Sequence, residues 1–255
     1  MDTATLVDRL DDLLDTDDYA DLDASENGLQ VGRREGTTER VAVAVDAAGA
    51  TIDRAIERSA DMLLVHHGLS WEGIDRVTGR THGRLSGLIE HDIDLYVSHL
   101  PLDGHQRLGN AAGVGDLVGL TDREPFGELG PKFVGQHGPL ESPVDVQTVH
   151  DTLARELDHG GAGIQVLPYG PEPIEDVAIV TGSGADWLDE AVDAGVDAFI
   201  TGEGKGKLYH QARESGITVF LGGHYATETF GVRSLAGKLE EWGLETLFID
   251  APTGL

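Results

Sequence analysis

The sequence predicts an α/β protein made of two related lobes, and three observations predict it. Val41 to Gly68 (VAVAVDAAGATIDRAIERSADMLLVHHG) aligns without a gap on Val177 to Gly204 (VAIVTGSGADWLDEAVDAGVDAFITGEG), at a constant offset of 136 residues. Both copies read strand, acidic helix, strand, polar turn. A second correspondence sets Ile93 to His99 (IDLYVSH) against Ile217 to Gly223 (ITVFLGG), two short apolar strands that each end in a polar loop. Finally, short apolar strands alternate with helical patterns, which predicts parallel pairing with both sheet faces covered. One α/β unit used twice, an internal duplication, accounts for all three.

Taken in order, Leu6, Val7, Leu10, Leu13 and Leu14 mark one face of a first helix. Thr16 to Gly32 follows as a polar, Gly-containing loop that carries Glu26-Asn27-Gly28-Leu29-Gln30. The first copy then supplies a strand over 41–45, a helix over 50–59 and a strand over 62–65. A helix around 80–91 and a strand over 93–97 complete a first lobe spanning 1–123. Residues 124–175 belong to neither copy, and their Gly and Pro content (Gly127, Gly130, Pro131, Gly135, Gly138, Pro139) predicts a connecting segment. Within it, Ser142-Pro143 reads as the N-cap and first residue of a helix over 144–157, and 164–167 reads as a strand. The second lobe spans 176–255. It closes with a helix over 227–242, Phe230, Leu235, Leu239 and Trp242 facing inward, and a strand over 246–249. The two lobes are interdependent and amount to one domain.

Composition limits what such a protein does. Eighteen basic residues against 46 acidic ones give a formal charge of −28, which repels a phosphate backbone and argues against nucleic-acid binding. Only Lys132, Lys205, Lys207 and Lys238 are lysines, whereas Asp recurs densely from Asp8 to Asp23, as suits solvation in a salt-rich cytoplasm. The absence of Cys removes thiolate ligands and thiol nucleophiles, so any metal is held by His and carboxylate. The N-terminus is acidic and amphipathic, without the basic start and apolar core of a signal peptide, and no apolar run approaches the ~20 residues of a membrane span. A cytoplasmic protein with no membrane partner is expected.

Three short segments carry the chemistry, each at the C-terminal end of a strand, where open α/β sheets place their ligands. The first is His66-His67-Gly68. Neighbouring side chains on a strand point oppositely, so the two imidazoles reach one centre only if the backbone turns, or else they serve two ions. The second, Ser98-His99-Leu100-Pro101-Leu102-Asp103, places Asp103 where its two oxygens suit a bridge between cations, or where it caps the following turn. His105, beyond it, is expected to be exposed. The third, Gly222 to Glu228, sets His224 and Glu228 four apart, a spacing that stacks both on one helical face. Local capping by Thr227 and Glu228 would explain those two residues without metal, but not the His at the strand end of the repeat.

Packing of the lobes about a pseudo-twofold axis would bring together His66, His67, Asp103, His224 and Glu228 as a dinuclear metal site in the cleft between them. Three imidazoles and two carboxylates suit Zn, Mn or Fe as divalent ions better than Ca²⁺ or Mg²⁺. Five ligands shared by two ions leave open positions, as in a catalytic or exchangeable site. Glu203, at the repeat position of His67, and His99 are candidates to move protons or to orient a ligand. Gly202 to Lys207 (GEGKGK) lacks the spacing of a phosphate-binding loop, and no nucleophile-elbow serine is present.

The blocks ENGLQVG, LLVHHG, SHLPLD, TGEGK and GGHYATE, in this order from Glu26 to Glu228, resemble the Ngg-interacting-factor-three-like (NIF-three-like) family, also catalogued as type 2 homologues of GTP cyclohydrolase I. Two small departures are Leu69 after HHG and Leu100 where Thr is commoner. The resemblance implies a cytoplasmic α/β protein assembled as a toroidal homohexamer, with two metal ions held at His66, His67, Asp103, His224 and Glu228. It further implies a metal-dependent hydrolase acting on a nucleotide-like small molecule; the alternative it allows is a non-catalytic metal-binding regulatory or metal-delivery protein.

Overall fold

In a computed structural model that describes residues 1–157 and 160–255, apolar runs become strands and amphipathic runs become helices in alternation. The helices are α1 (Thr3–Leu14), α2 (Gly49–Glu57), α3 (Gly79–Glu90), α4 (Leu100–Asp103), α5 (Asn110–Val118), α6 (Val146–Glu156), α7 (Leu188–Asp193), α8 (Leu208–Ser215), α9 (His224–Thr227) and α10 (Thr229–Glu241). The strands are β1 (Gly28–Val31), β2 (Arg40–Asp46), β3 (Met62–His67), β4 (Asp94–Val97), β5 (Glu124–Leu129), β6 (Lys132–Val144), β7 (Gln165–Pro168), β8 (Ile174–Ile179), β9 (Ala198–Thr201), β10 (Thr218–Leu221) and β11 (Glu245–Phe248). They form two compact units, Met1–Leu102 with Gly231–Ala251, and Asp103–Phe230 with Pro252–Leu255.

In the first unit the sheet order is β1-β4-β3-β2-β11. The β4, β3, β2 and β11 strands run parallel, and β1 is antiparallel at the edge. The middle residues of β2 and β3 are buried without alternation, as strands covered on both faces must be. Ala42, Ala44, Leu63, Val65, Leu95 and Val97 of these strands join Ile52 of α2 and Leu88 of α3 in one apolar cluster. Helix α1 is capped by Asp2, whose carboxylate accepts from Thr5 N at 3.0 Å, and it buries Leu6, Val7, Leu10 and Leu14.

The second unit has the order β5-β6-β8-β9-β10-β7. Again three parallel strands, β8, β9 and β10, form the centre, and β7 lies antiparallel on β10 as β1 lies on β4. Val177, Ile179, Ile200 and Phe220 of this centre pack with Val149 and Leu153 of α6.

The register repeats as well as the order. Val41 pairs with Met62, and 136 residues later Val177 pairs with Ala198. Met62 pairs with Asp94, and Ala198 with Thr218, as the second sequence correspondence requires.

Four expectations are corrected. Residues 124–175 do not merely connect: β5 and β6 form an antiparallel ribbon that extends the second sheet through β8, and β7 closes its other edge. Ser142 and Pro143 lie in β6, where the register shifts between Pro139 and Val144 and so tolerates a residue without an N–H. The helix cap is Asp145, which accepts from Thr148 N at 2.7 Å. The expected helix over 227–242 is found as α10, after a short α9 that ends at Thr227, but β11 pairs in parallel with β2 of the first unit, so the chain's end does not complete the second lobe. The boundaries 123 and 175 are therefore not those of the compact units.

Candidate metal centre

β3 extends two residues past its apolar run, so His66 and His67 are its last two positions and not part of a following loop. His66 is completely buried and its Nδ1–H donates to the Ser98 carbonyl at 2.9 Å. His67 is aligned with Asp46 across the parallel pair of β3 and β2, and its Nδ1–H donates to Asp46 Oδ1 at 2.9 Å. His99, just after β4, donates from Nδ1 to Asp23 Oδ1 at 2.9 Å.

All three imidazoles thus spend Nδ1–H on an oxygen acceptor. In the neutral ring this leaves the lone pair on Nε2, the arrangement by which outer groups orient a metal-binding histidine. One ring nitrogen from each of the three comes within 4.8 Å of the others, close enough to hold one metal ion. The neighbouring-rings problem is solved at the strand end, where the His66 and His67 ring centroids lie 4.6 Å apart.

The acceptors are themselves fixed. Asp23 is buried, which opposes ionisation, yet hydrogen bonds from His99, the Asn27 amide and Ser25 N hold its pKa below the ordinary value. Asn27 also accepts from His99 N at 2.7 Å, and Leu100 N donates to Asp23 Oδ2. Gln30 Oε1 accepts from Leu69 N at 2.6 Å and Ser70 N at 3.1 Å, clamping the turn that follows the histidine pair. A Cβ at Gly68 would meet the Gln30 amide at 2.7 Å, so only glycine lets that clamp close. The ENGLQ block therefore supports the site, a role that its loop-like composition does not announce.

The second unit holds the other candidates. His224 opens α9 and Glu228 ends it, and His224 Nε2 lies 3.2 Å from Glu228 Oε1 while its Nδ1 lies 3.3 Å from Glu203 Oε1. Burial pulls the imidazole pKa down, but the Glu228 and Glu203 carboxylates outweigh it and raise the value to about 9. Glu228 is 3 % exposed, and the imidazolium would compete with any metal ion for the same carboxylate cradle.

Glu203, expected to move protons or to orient a ligand, receives the Ser183 hydroxyl, and this bond with the nearby His224 holds its carboxyl below the usual range. That makes it a poor base and a good holder of His224 Nδ1–H. Small residues make the room: Gly182 has φ +57°, and a Cβ there would lie 2.0 Å from Glu228 Oε1. At Gly202 a Cβ would meet the His224 Cα at 2.8 Å. In the repeat Gly182 occupies the position of Asp46, and Gly202 that of His66. The two copies thus use equivalent strand ends in opposite ways, one supplying the polar groups and the other the space.

Asp103 ends α4, and its Oδ1 accepts from the buried Asn110 amide at 2.8 Å. His105, expected to be exposed, is half-buried and accepts from Arg107 N and Leu108 N through Nδ1. Sequence reasoning passed over Asp23, Asn27, Gln30, Asp46 and Ser183. Asp46 alone carries a local signal, as the first polar residue at the end of an apolar strand.

The profile of the family described as Duf34/NIF3 (NGG1p interacting factor 3) matches residues 1–254. The chain belongs to the Duf34/NIF3 family. Among relatives in this family, a Halobacterium salinarum protein called a GTP cyclohydrolase 1 type 2 homolog is 54% identical over 255 residues, covering 100% of each chain. One of the same name from Archaeoglobus fulgidus is 42% identical over 258 residues, again covering 100% of each. The solved structure of a Thermus thermophilus protein superposes with a TM-score of 0.89 at 39% identity, covering 100% of both chains. The NIF3 fold of two sheets is shared with it. Among the described residues no helix is long and apolar enough to cross a membrane.

Proposed function

We propose that this Duf34/NIF3 protein binds two divalent transition-metal ions through His66, His67, Asp103, His224 and Glu228, and uses them to hydrolyse a nucleotide-like small molecule. The observation that carries this reading is the common tautomer of His66 and His67, each Nδ1–H being given to an oxygen so that Nε2 keeps the lone pair a metal would take. Zn, Mn and Fe all fit such nitrogen and carboxylate donors. The name of the relatives, GTP cyclohydrolase 1 type 2 homolog, supports the nucleotide-like substrate class.

Metal ions bound at these donors would supply Lewis acidity and a water acidic enough to react near neutral pH. The chain's own groups do the rest. Asp46 and the Ser98 carbonyl keep His67 and His66 in one tautomer and orientation, and Glu203 does so for His224. His99, held by the buried Asp23, is placed to accept a proton at Nε2 and return it to a leaving group. A homohexameric assembly and a cytoplasmic setting belong to the same proposal.

Incubation of metal-replete protein with GTP and a nucleotide panel tests the catalytic part. Substrate consumption that is lost in His99→Ala, with metal content retained, supports it. Full metal occupancy with no consumption across the panel would instead favour a metal-binding regulatory or delivery protein.

A further inference from the structure

Trp71 stands at the edge of the imidazole cluster with nothing in its own unit that explains its exposure. Its indole lies 4.9 Å from the His99 ring, edge to face, and 6.1 Å from the His67 ring, yet the residue is 42% exposed. No hydrogen bond to the indole N–H is present among the described residues. A tryptophan that merely packed His99 would gain by burying its large apolar surface.

The backbone beneath it is held firmly. Trp71 bridges Ser25, Glu26 N donates to Ser70 O at 3.2 Å, and Glu72 N donates to Ala24 O at 2.7 Å. The chain reverses at once through Glu72 (φ +57°) and Gly73 (φ +98°). A rigidly presented aromatic ring beside candidate metal ligands, with a free donor on its rim, is a platform for a flat ring that carries hydrogen-bond acceptors.

The surrounding charge narrows the ligand further. The facing loop contains Asp17, Asp18, Asp21, Asp23 and Glu26 and no basic residue. With Glu72, the residue after Trp71, it lines an adjoining recess of about 440 Å³ that Trp71 itself does not line, and whose acidic groups repel polyanions. We infer that Trp71 is a specificity-determining residue that stacks on a planar, uncharged nitrogen heterocycle, of nucleobase or nucleoside class, next to the metal centre. This deepens the hydrolase reading and rests on it only for the position of the reacting atom. The ring-binding face is Trp71 itself, and a triphosphate adds nothing to affinity here.

Calorimetric titration with guanosine, adenosine and uridine, with ribose as the non-planar control and GTP as the polyanion, tests this on metal-loaded and metal-free protein. Expected is binding of at least one nucleoside and none of ribose, with a loss of about 5- to 150-fold in Trp71→Ala. Trp71→Phe, which keeps a π-face, retains most of the affinity, metal content is unchanged in both variants, and GTP binds no tighter than guanosine. Absence of nucleoside binding, affinity unchanged in Trp71→Ala, loss of metal along with affinity in that variant, or a preference for GTP would overturn it. Trp71-dependent binding by a protein that takes up no metal would uphold the platform while removing the hydrolase reading, so the two fail separately.

Discussion

Asp46 Oδ1 accepts from His67 Nδ1 at 2.9 Å across the parallel pair of β2 and β3, tying the last residue of one strand to the last of the next. This bond sets which nitrogen of His67 keeps the lone pair that a metal would take. Asp46→Ala should therefore lower metal affinity by about 10- to 100-fold while the far-UV spectrum stays native, as chelator competition would show. Unaltered affinity would mean that the tautomer is set by something else.

Gly182 makes a complementary prediction for the second unit. Its positive φ and the 2.0 Å approach of a built Cβ to Glu228 Oε1 mean that Gly182→Ala must displace the carboxylate. Stability should fall by about 1–3 kcal/mol from strain at this position, and metal should be lost from His224 and Glu228. A thermal melt paired with metal analysis reads both effects, and a variant with full metal content would refute the cradle.

The pH response follows from His224, whose pKa is raised to about 9. Metal must displace that proton, while Glu203 is held below its usual range and stays ionised throughout. Affinity measured with chelator-buffered Zn²⁺ should therefore climb from pH 7 toward pH 9, by at most about tenfold per unit, and level off above it. A flat profile over that interval would contradict the arrangement.

A separate prediction concerns stability in alkali. The buried Tyr96 hydroxyl donates to Asp11 Oδ1 at 2.8 Å, and burial followed by the Asp11 charge pushes the phenol well above its ordinary value of 10.0. The native state therefore keeps a proton that the unfolded chain releases. The contribution of the neutral phenol is complete below about pH 10 and is lost as pH rises toward the native-state pKa. Tyr96→Phe should cost about 1 kcal/mol at pH 7 and flatten the alkaline limb of a urea-stability profile at constant high salt. An equally steep limb in the variant would assign the effect to other groups.

The parallel centre of each sheet was legible because strands buried on both faces must be continuously apolar, as Val41 to Val45 and Val177 to Val180 are. The offset between the copies even anticipates the pairing register at Met62 and Ala198. Within residues 124–175 the helix and the last strand were legible, as α6 and β7, but the ribbon of β5 and β6 was opaque because Gly and Pro serve twisted antiparallel ribbons as well as loops; Gly135, whose Cβ would meet the Ile179 carbonyl at 2.2 Å, is glycine for close strand packing. Of the site, the His and Glu residues were readable by type and spacing. Their supports were not, since Asp23 and His99 are 76 residues apart, and Gln30 and Leu69 are 39 apart, in bonds that only the folded chain creates. The repeat position of Glu203 suggests a group that moves protons or orients a ligand, and its bond with Ser183 and its place beside His224 favour the orienting role.

The central claim is that these histidines and carboxylates hold metal, and elemental analysis of protein purified in high salt tests it most directly, wild type beside a His66→Ala, His224→Ala double variant. The account predicts about two transition-metal ions per chain in the wild type and loss of both in the variant. Metal-free wild-type protein that stays so after incubation with Zn²⁺, Mn²⁺ and Fe²⁺, or equal metal content in the two proteins, would contradict it.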